Sequence, residues 1–181
     1  MIYVHLAYGF EEVEALTVVD ILRRAEQEVK TVSVTGQKSV TGAHGITVEA
    51  DLLFEEADYE KCQMLVLPGG LPGAYGLRDH AGLGEKIKKF SQENRPLAAI
   101  CAAPLVFGNL GILNGKNATI YPGMEEFLTG AKFVDRPVVR DGNLITAQGP
   151  AIAMKFALTI VDFFCGEETV RSLRSGLLLD R

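Results

Sequence analysis

The sequence has too few cysteines and too little positive charge for several common classes of protein. Its three cysteines are odd in number and far apart, which argues against a disulfide framework and against a CxxC metal knuckle. The formal net charge is −5 and the basic residues are scattered, so nothing indicates nucleic acid or an acidic membrane surface as a partner. No run reaches the roughly 18 apolar residues that a membrane span needs, and no metal-ligand cluster is recognisable.

The start of the chain also lacks the marks of a secretory signal. Residues 1–9, MIYVHLAYG, are apolar but have no positive n-region and no cleavage site. Together with the unpaired cysteines, this predicts a reducing, cytoplasmic location. What the 181 residues do contain is 48% hydrophobic and 23% charged side chains, the profile of a globular protein. We therefore expect a single domain over residues 1–181 with one sizeable core.

Short apolar runs alternate with amphipathic stretches along the chain. The pattern predicts strands over residues 2–7, 29–34, 64–67, 96–100 and 118–121, and helices over 11–28, 84–94, 103–110 and 150–164. Residues 40–50 are typical of a Gly-punctuated hairpin, and residues 137–146 predict a hairpin around Asp141-Gly142. The alternation favours an α/β fold with a doubly wound sheet, in which active residues follow the carboxyl ends of strands.

Cys101 carries the strongest indication of chemistry. A predicted strand leads directly into a predicted helix at this residue, and Ala99, Ala102 and Ala103 around it are all small. Small neighbours are typical of a nucleophile elbow, a sharp turn that excludes bulky side chains. The N–H groups at the start of the helix favour a thiolate over a thiol. We therefore predict a nucleophilic cysteine rather than the buried structural cysteine that is commoner in general.

Glu14 is the second informative residue. On a helix it shares a face with Val18 and Ile21, an otherwise mostly apolar stripe. A carboxyl on a core-facing stripe is desolvated, which raises its pKa and lets it donate a hydrogen bond or act as an acid. A first-turn carboxylate that stabilises the helix dipole is equally consistent with the periodicity. Glu11 and Glu12, at the helix start, are expected to be exposed.

The Gly69-Gly70 pair is a weaker signal beside these two residues. It follows the strand predicted over residues 64–67, where its backbone N–H groups could lie close to a ligand or an oxyanion. Most Gly-Gly pairs mark ordinary turns, so that alternative stays open.

The remaining cysteines and the histidines are expected to have structural roles. Cys62 and Cys165 lie beside apolar runs without a comparable turn. His5 is predicted to pack in the core and His80 to be solvated, while His44 could reach a partner surface or the edge of a site. None of the histidines is paired with the predicted nucleophile by its spacing.

Several motifs, taken in order, resemble the ThiJ/PfpI superfamily, and within it the branch of the Parkinsonism-associated deglycase and its bacterial homologue YajL. The similarity covers nearly the whole chain. The motifs are EEVE at 11–14, VDILRRA at 19–25, VLPGG at 66–70, AAICAAP at 98–104, TAQGP at 146–150 and FAL at 156–158.

The resemblance implies a flavodoxin-like α/β fold, in which helices sandwich a mostly parallel sheet with a small β-hairpin, and it implies a homodimer. Cys101 matches an elbow cysteine that is readily oxidised to a sulfinate, and Glu14 matches a protonated glutamate that hydrogen-bonds this sulfur. The backbone N–H groups of Gly70 and Ala102 match the oxyanion side of the site. The other residues expected to line the site are Gly69, Tyr121, Gly149 and Pro150.

The resemblance also implies an activity, namely glyoxalase and deglycase chemistry on methylglyoxal-type carbonyls or glycated adducts, without cofactor or metal, together with redox-regulated chaperoning.

The sequence departs from the family's pattern in three places. Tyr121 stands where many members of the branch have histidine, and a phenol is a poor base near neutral pH. His44 replaces a frequent arginine, which would alter an anion-binding or interface contact. Ala102 stands where the protease-like branch has histidine, which argues against a peptidase.

Three functions are therefore carried forward. In the first, a Cys101 thiolate attacks an α-oxoaldehyde, Glu14 shuttles a proton between adjacent carbons, and water releases a 2-hydroxy acid. In the second, the protein is a redox-sensing chaperone (a holdase) without dedicated turnover, whose Cys101 is oxidised to sulfinate. The third, a cysteine peptidase or amidotransferase, is the least favoured because it needs a histidine on the thiol.

Overall fold

The computed structural model describes residues 1–180 of the chain. Its strands are β1 (Ile2–Leu6), β2 (Val29–Ser33), β3 (Ser39–Thr41), β4 (Thr47–Glu49), β5 (Leu52–Leu53), β6 (Met64–Leu67), β7 (Leu97–Ile100), β8 (Asn117–Ala118), β9 (Lys132–Phe133), β10 (Val138–Asp141) and β11 (Leu144–Ala147). Its α-helices are α1 (Glu12–Arg24), α2 (Gly73–Asp79), α3 (Ala81–Gln92), α4 (Pro104–Asn109) and α5 (Ala153–Gly176).

A seven-stranded sheet in the order β10-β11-β7-β6-β1-β2-β5 forms the centre of the molecule. Its strands pair in parallel, except that β10 runs antiparallel to β11. Helix α1 packs against α5, and α2 packs against α3 and α4, so that helices flank the sheet. The predicted α/β fold with a mostly parallel sheet is confirmed.

The central strands are hydrophobic because they are covered on both faces. Every residue of β1, β6, β7 and β11 is buried. Continuous apolar runs are typical of parallel strands under helices, whereas a sheet with one solvated face shows alternation. Both predicted hairpins are also present, as the antiparallel pairs β3–β4 and β10–β11.

The strand predicted over residues 118–121 is wrong for most of its length. Only Asn117–Ala118 forms a strand, which pairs with β9. Beyond it the backbone leaves the ladder, because the amide of Thr119 donates to Thr146 Oγ1 and that of Tyr121 donates to the carbonyl oxygen of Cys101. This departure brings Tyr121 to the end of β7.

The predicted helix ends also differ from the structure. Helix α1 ends at Arg24 rather than at residue 28, and Glu26 just beyond it has a φ of 58° that a helix cannot continue through. In contrast, α5 continues past Gly166 to Gly176, with a kink where Gly166 has a φ of 79°. Helix α2 was not predicted. Among the helices of residues 1–180, none combines the length and the apolar composition that a membrane span requires.

Candidate active site

Four neighbouring strands of the sheet end at one place. Cys101 follows β7, Gly69 follows β6, and Gly149 follows β11, while α1, which carries Glu14, begins after β1. Because these strands are adjacent and parallel, their carboxyl ends meet at one edge of the sheet. The topology of the sheet therefore explains why residues far apart in the sequence lie together here.

Cys101 lies on a strained turn between β7 and α4. Its φ is 62°, in the left-handed region that few residues other than glycine adopt. Two backbone hydrogen bonds hold the turn: its amide donates to the carbonyl of Ala147 at 2.9 Å, and its carbonyl accepts from the amide of Tyr121 at 2.9 Å. The small residues Ala102 and Ala103 beside it are buried. This is the geometry of a nucleophile elbow.

Gly69 is the contact point between the thiol and the carboxyl. Its amide donates to Glu14 Oε2 at 2.7 Å. A Cβ at this position would lie 2.6 Å from Cys101 Cβ and 2.8 Å from Glu14 Oε2, so neither side chain leaves room for a methyl group. Glycine is thus required here by the close approach of the Cys101 and Glu14 side chains.

Glu14 is fully buried, with no exposed side-chain surface. Burial raises the pKa of its carboxyl to about 7, against the opposing effect of hydrogen bonds from Gly69 and Cys101. Within residues 1–180, Oε1 of Glu14 has no hydrogen-bond partner of normal geometry. The carboxyl and the Cys101 thiol are nevertheless close enough for each to shift the pKa of the other. Near neutral pH the carboxyl can therefore both give and accept a proton.

The pKa of Cys101 is shifted upward, whereas the position of the thiol at the start of a helix predicts a downward shift. Burial and then the Glu14 carboxylate raise the pKa of the thiol to about 12, although the backbone amides of Gly70 and Ala102 lower it. The expectation that the helix start alone would favour a thiolate is therefore wrong for the state in which Glu14 is ionised. Once Glu14 is protonated its repulsion disappears, and its proton can be donated to the sulfur.

A pocket of about 350 Å³ opens above the thiol. Its wall is mostly apolar, with Glu11 as its one ionisable side chain besides Cys101 and Tyr121. The lining residues are Glu11, Gly70, Leu71, Cys101, Ala102, Tyr121, Met124 and Pro150. A volume of this size matches a small organic molecule rather than a folded polypeptide.

Of the residues predicted to line this pocket, Tyr121 and Pro150 do so, whereas Gly69 and Gly149 do not form part of its wall. Tyr121 is half-exposed at the mouth, and Pro150 forms part of the wall. Gly149 lies behind Tyr121, where an added Cβ would be 3.3 Å from Tyr121 Cδ2. Sequence reasoning missed Glu11, Leu71 and Met124 as lining residues. Leu71 directly follows the VLPGG motif, whereas Met124 belongs to no motif and comes into the wall only through the fold.

Glu12, at the start of α1, was expected to be exposed, and the structure shows that this prediction is wrong. Its side chain is buried rather than exposed, because both oxygens bind the β3–β4 hairpin. Oε1 accepts from the amides of His44 at 2.8 Å and Ile46 at 3.4 Å, and Oε2 lies 2.9 Å from His44 Nδ1. We call these contacts the hairpin clasp. Glu11 is also only partly exposed.

Two residues of the hairpin clasp, together with Glu11, form the single grouping of potential metal ligands within residues 1–180. Ligand atoms of Glu11, Glu12 and His44 lie within 4.8 Å of one another. The sequence alone did not indicate this cluster, since the hairpin brings His44 across from a distant segment. Glu12 already uses both oxygens within the clasp, so the grouping is explained by hairpin anchoring and carries no metal assignment.

The three histidines all have partners away from the thiol. His5 is fully buried, as predicted, and its Nε2 lies 3.0 Å from the hydroxyl of Tyr59. His80, expected to be solvated, is half-buried and accepts from the amide of Leu83 at the start of α3. His44 belongs to the hairpin clasp. A histidine on the thiol, which a cysteine peptidase requires, is thus not supplied by residues 1–180.

The sequence and the fold both match those of a known protein family. The model of the DJ-1/PfpI family matches residues 1–163. The chain belongs to the DJ-1/PfpI family. Among curated relatives, DJ-1 homolog B of Arabidopsis thaliana is 38% identical over 98% of this chain, and dj-1beta of Drosophila melanogaster is 35% identical over 96% of this chain and 94% of its own length. A protein named as a deglycase from Pyrococcus abyssi is 37% identical over 78% of this chain and 85% of its own.

The Arabidopsis relatives are much longer than this chain. It spans 41% of homolog B and 46% of homolog A. Solved structures of the family superpose closely: oxidized DJ-1 of Toxoplasma gondii has a TM-score of 0.94 at 32% identity, covering 98% of this chain and 97% of its own. Drosophila DJ-1beta has the same TM-score at 36% identity, covering 98% and 96%. The resemblance to the superfamily and the flavodoxin-like fold are thereby confirmed.

Proposed function

We propose that this protein is a cysteine-dependent, cofactor-free glyoxalase or deglycase that acts on small reactive carbonyls such as methylglyoxal. The observation that carries the proposal is the buried pair of Glu14 and Cys101 at the floor of a small pocket, with a carboxyl pKa of about 7. The deglycase names of the Pyrococcus relatives support the same class of substrate.

The first step forms a bond between sulfur and carbon. The proton of the Cys101 thiol passes to Glu14, whose Oε1 has no other partner within residues 1–180, and the thiolate adds to the aldehyde carbon. Glu14 then gives this proton to the carbonyl oxygen, so that the carboxylate is free again for the next step. The product is a hemithioacetal, whose oxygen lies on the side of the Gly70 and Ala102 amides, which lower the pKa of the thiol.

The second step moves hydrogen within the substrate. Glu14 removes the proton from the former aldehyde carbon and returns it to the neighbouring carbon, while the hydroxyl proton moves from the oxygen of the first carbon to the oxygen of the second. The hemithioacetal is thereby converted to a thioester. Water then cleaves the thioester to release a 2-hydroxy acid and the free thiol. The former aldehyde carbon is oxidised and its neighbour is reduced, so the reaction consumes only water. Tyr121 at the pocket mouth can donate a hydrogen bond to the substrate but is a poor base near neutral pH.

The test is the fate of methylglyoxal with wild-type protein and two cysteine variants. We expect Cys101→Ser to lose at least about 100-fold in the rate of lactate formation, followed by nuclear magnetic resonance. Cys165→Ser is the matched control and is expected to retain the wild-type rate. Cys165 lies on α5, where its thiol contacts Gln27 and does not line the pocket. Equal rates for Cys101→Ser and wild type would refute the proposal.

A redox-sensing chaperone is the second candidate, and the same atoms support it. Two backbone amides and a neutral carboxyl around a sulfur are suited to stabilise a sulfinate, and the similar structure from Toxoplasma gondii is that of an oxidized DJ-1. Mild peroxide followed by intact mass and peptide mapping tests this candidate. A two-oxygen adduct on Cys101 that forms before any on Cys62 or Cys165 supports it, and the absence of that adduct removes it.

A further inference from the structure

The TAQGP motif at residues 146–150 lies beside the Cys101 turn, but its first residue takes no part in the proposed reaction. Ala147 accepts from the amide of Cys101 through its backbone carbonyl, and Pro150 forms part of the pocket wall. Thr146, one residue earlier on β11, is fully buried and does not line the pocket. A buried hydroxyl needs a hydrogen-bond partner, and the partner shows what this side chain does.

The Thr146 hydroxyl binds a backbone amide of another segment. Its Oγ1 accepts from the amide of Thr119 at 2.9 Å, and both residues are fully buried. Strand β8 ends one residue before Thr119, so a side chain, and not the carbonyl of a neighbouring strand, satisfies this amide. A buried amide without a partner is costly, because it has given up its bond to water. Thr146 therefore fixes the path of the chain where it leaves β8.

The segment that Thr146 fixes reaches the predicted nucleophile two residues later. The amide of Tyr121 donates to the carbonyl of Cys101 at 2.9 Å. Ile120, between the two bonded amides, is fully buried, so residues 119–121 are held at both ends and packed in the middle. The position of the Tyr121 amide thus depends on the bond at Thr119.

The Cys101 carbonyl needs a partner because its residue has a strained conformation. A φ of 62° persists in a residue with a side chain only where neighbouring bonds hold it. The bond from the Cys101 amide to Ala147 uses the backbone of β11, so it does not depend on which side chain stands there. The bond to the Cys101 carbonyl, in contrast, depends through residues 119–121 on the hydroxyl of Thr146.

We infer that Thr146 is a positioning residue for the Cys101 thiol, which acts through residues 119–121 and the Tyr121 amide to hold the left-handed turn. Its hydroxyl acts at a distance, since its partner is the Thr119 amide and neither the thiol nor the Glu14 carboxyl. The inference rests on the proposed function only where turnover is concerned, because the reactivity of the thiol is measurable without a substrate.

Thr119 provides a matched control, because its own hydroxyl makes no bond. Its Oγ1 is buried and has no hydrogen-bond partner within residues 1–180. Thr119→Val and Thr146→Val therefore remove the same group from two buried residues and keep the β-branched shape of the side chain. Only Thr146→Val breaks the hydrogen bond between them, since the donor on Thr119 is the backbone amide.

The experiment measures the pH profile of iodoacetamide alkylation at Cys101 in the full chain, followed by peptide mapping. In Thr146→Val we expect the turn to relax and the sulfur to move away from the amides of Gly70 and Ala102, which lower its pKa. The profile should shift upward by about half a pH unit or more, and the Tyr121 amide should exchange its hydrogen about ten-fold faster. Thr119→Val should match wild type in both measurements, and a shift as large as that of Thr146→Val would contradict the inference.

Two further variants separate positioning from simple loss of packing. Thr146→Ser loses a buried methyl group but keeps the hydroxyl, so we expect lower stability together with the wild-type alkylation profile. Thr146→Ala lacks the hydroxyl and should show the upward shift, which keeps the test available if Thr146→Val does not fold. A wild-type profile in either variant that lacks the hydroxyl, or an equal shift in Thr146→Ser, would overturn the inference.

The outcome is separable from that of the proposed function. A wild-type protein that does not convert methylglyoxal refutes the enzyme and leaves the alkylation test unaffected. A protein that converts methylglyoxal, but whose Thr146→Val variant is alkylated with the wild-type profile, refutes the positioning role and leaves the enzyme standing.

Discussion

At the scale of single residues, replacing the Glu14 carboxyl is expected to make the Cys101 thiol more acidic and to make turnover of the substrate slower. Glu14→Gln removes a carboxylate that raises the pKa of Cys101, so we expect the pKa of the thiol to fall. The pH profile of iodoacetamide alkylation should therefore shift to lower pH. Turnover of methylglyoxal should fall by about 100-fold or more, because an amide neither accepts nor returns the substrate proton.

This pairing of a more acidic thiol with a slower enzyme distinguishes proton transfer from simple disruption. A variant with a damaged site would lose both properties. If alkylation of Glu14→Gln followed the wild-type pH profile, the coupling between the two side chains would be disproved.

Gly69 gives a second prediction at this scale. Gly69→Ala places a methyl group against Cys101 Cβ and Glu14 Oε2, so the site must shift. We expect a loss of about 1–3 kcal/mol in the free energy of unfolding, measured with urea, and a large loss of turnover. Gly176→Ala at the end of α5 meets no atom within 4 Å and should be neutral in both measurements. Comparable behaviour of the two variants would contradict the contact described at Gly69.

The sequence predicted some of these residue environments well and others poorly. The buried position of Glu14 follows from the apolar stripe of its own helix, because helical periodicity is local information. The burial of Glu12 and the pocket position of Met124 depend on segments about 20 residues or more away, brought in by the hairpin and by the turn after β8. Local periodicity contains no information about such contacts.

At the scale of elements, the hairpin clasp is expected to hold the β3–β4 hairpin against α1. Glu12→Gln replaces an acceptor of three contacts with a neutral amide. We expect faster hydrogen exchange at the amides of His44 and Ile46, with little change elsewhere. Glu49→Gln, an exposed carboxylate on β4, serves as the control. Unchanged exchange at His44 would show that the clasp does not hold the hairpin.

The clasp should also depend on pH in a defined direction. Burial tends to raise the pKa of Glu12, but hydrogen bonds from His44 and Ile46 outweigh it and leave this pKa below its usual range. The hydrogen bond that His44 donates to Glu12 and the charge of Glu11 raise the pKa of His44. The charged pair therefore weakens as the pH rises through the raised pKa of His44, and again as it falls through the lowered pKa of Glu12. Protection of the hairpin amides should be greatest between these two limits.

Element types were predicted better than element ends. Buried strands are recognisable because parallel strands under helices are continuous apolar runs. The end of α1 and the kink of α5 depend on backbone conformations at Glu26 and Gly166 that composition does not specify. Helix α2 has only seven residues, two of them glycine, and its periodicity is too short to detect.

At the scale of the whole molecule, His5 is expected to limit stability in acid. Burial lowers the pKa of this core histidine to about 3, so the folded protein keeps it neutral while the unfolded chain protonates it below about 6.5. Stability from this residue is complete above pH 6.5 and is lost progressively as the pH falls toward 3. At pH 5 the loss amounts to about 2 kcal/mol.

Urea unfolding at pH 7 and pH 5 provides the measurement. His5→Gln does not titrate, so the decrease in its free energy of unfolding between the two pH values should be smaller than that of wild type by about 2 kcal/mol. The comparison concerns the difference between pH values, because the variant is expected to be less stable at both. Equal decreases would show that His5 does not control the acid response.

The outer face of α1 gives a prediction about assembly. Val13 and Leu16 on α1 are 53% and 38% exposed, and Ile46 on the clasped hairpin is 55% exposed. We propose that this apolar face is where two copies meet, the homodimer that the family resemblance implies. Light scattering should give twice the chain mass for wild type and the monomer mass for Leu16→Asp. Phe133→Asp, at a comparably exposed apolar residue on β9, should stay dimeric. A monomeric wild type would disprove the homodimer.

The φ of 62° at Cys101 has a consequence for how the sequence can change. A residue other than glycine in this conformation costs about 1–2 kcal/mol, so the proposed nucleophile occupies a position where glycine would relieve backbone strain. Stability and activity therefore favour different amino acids at the same position. Directed evolution of this protein for heat resistance alone would be free to discard the nucleophile, and a screen for useful variants must select for the reaction as well as for the fold.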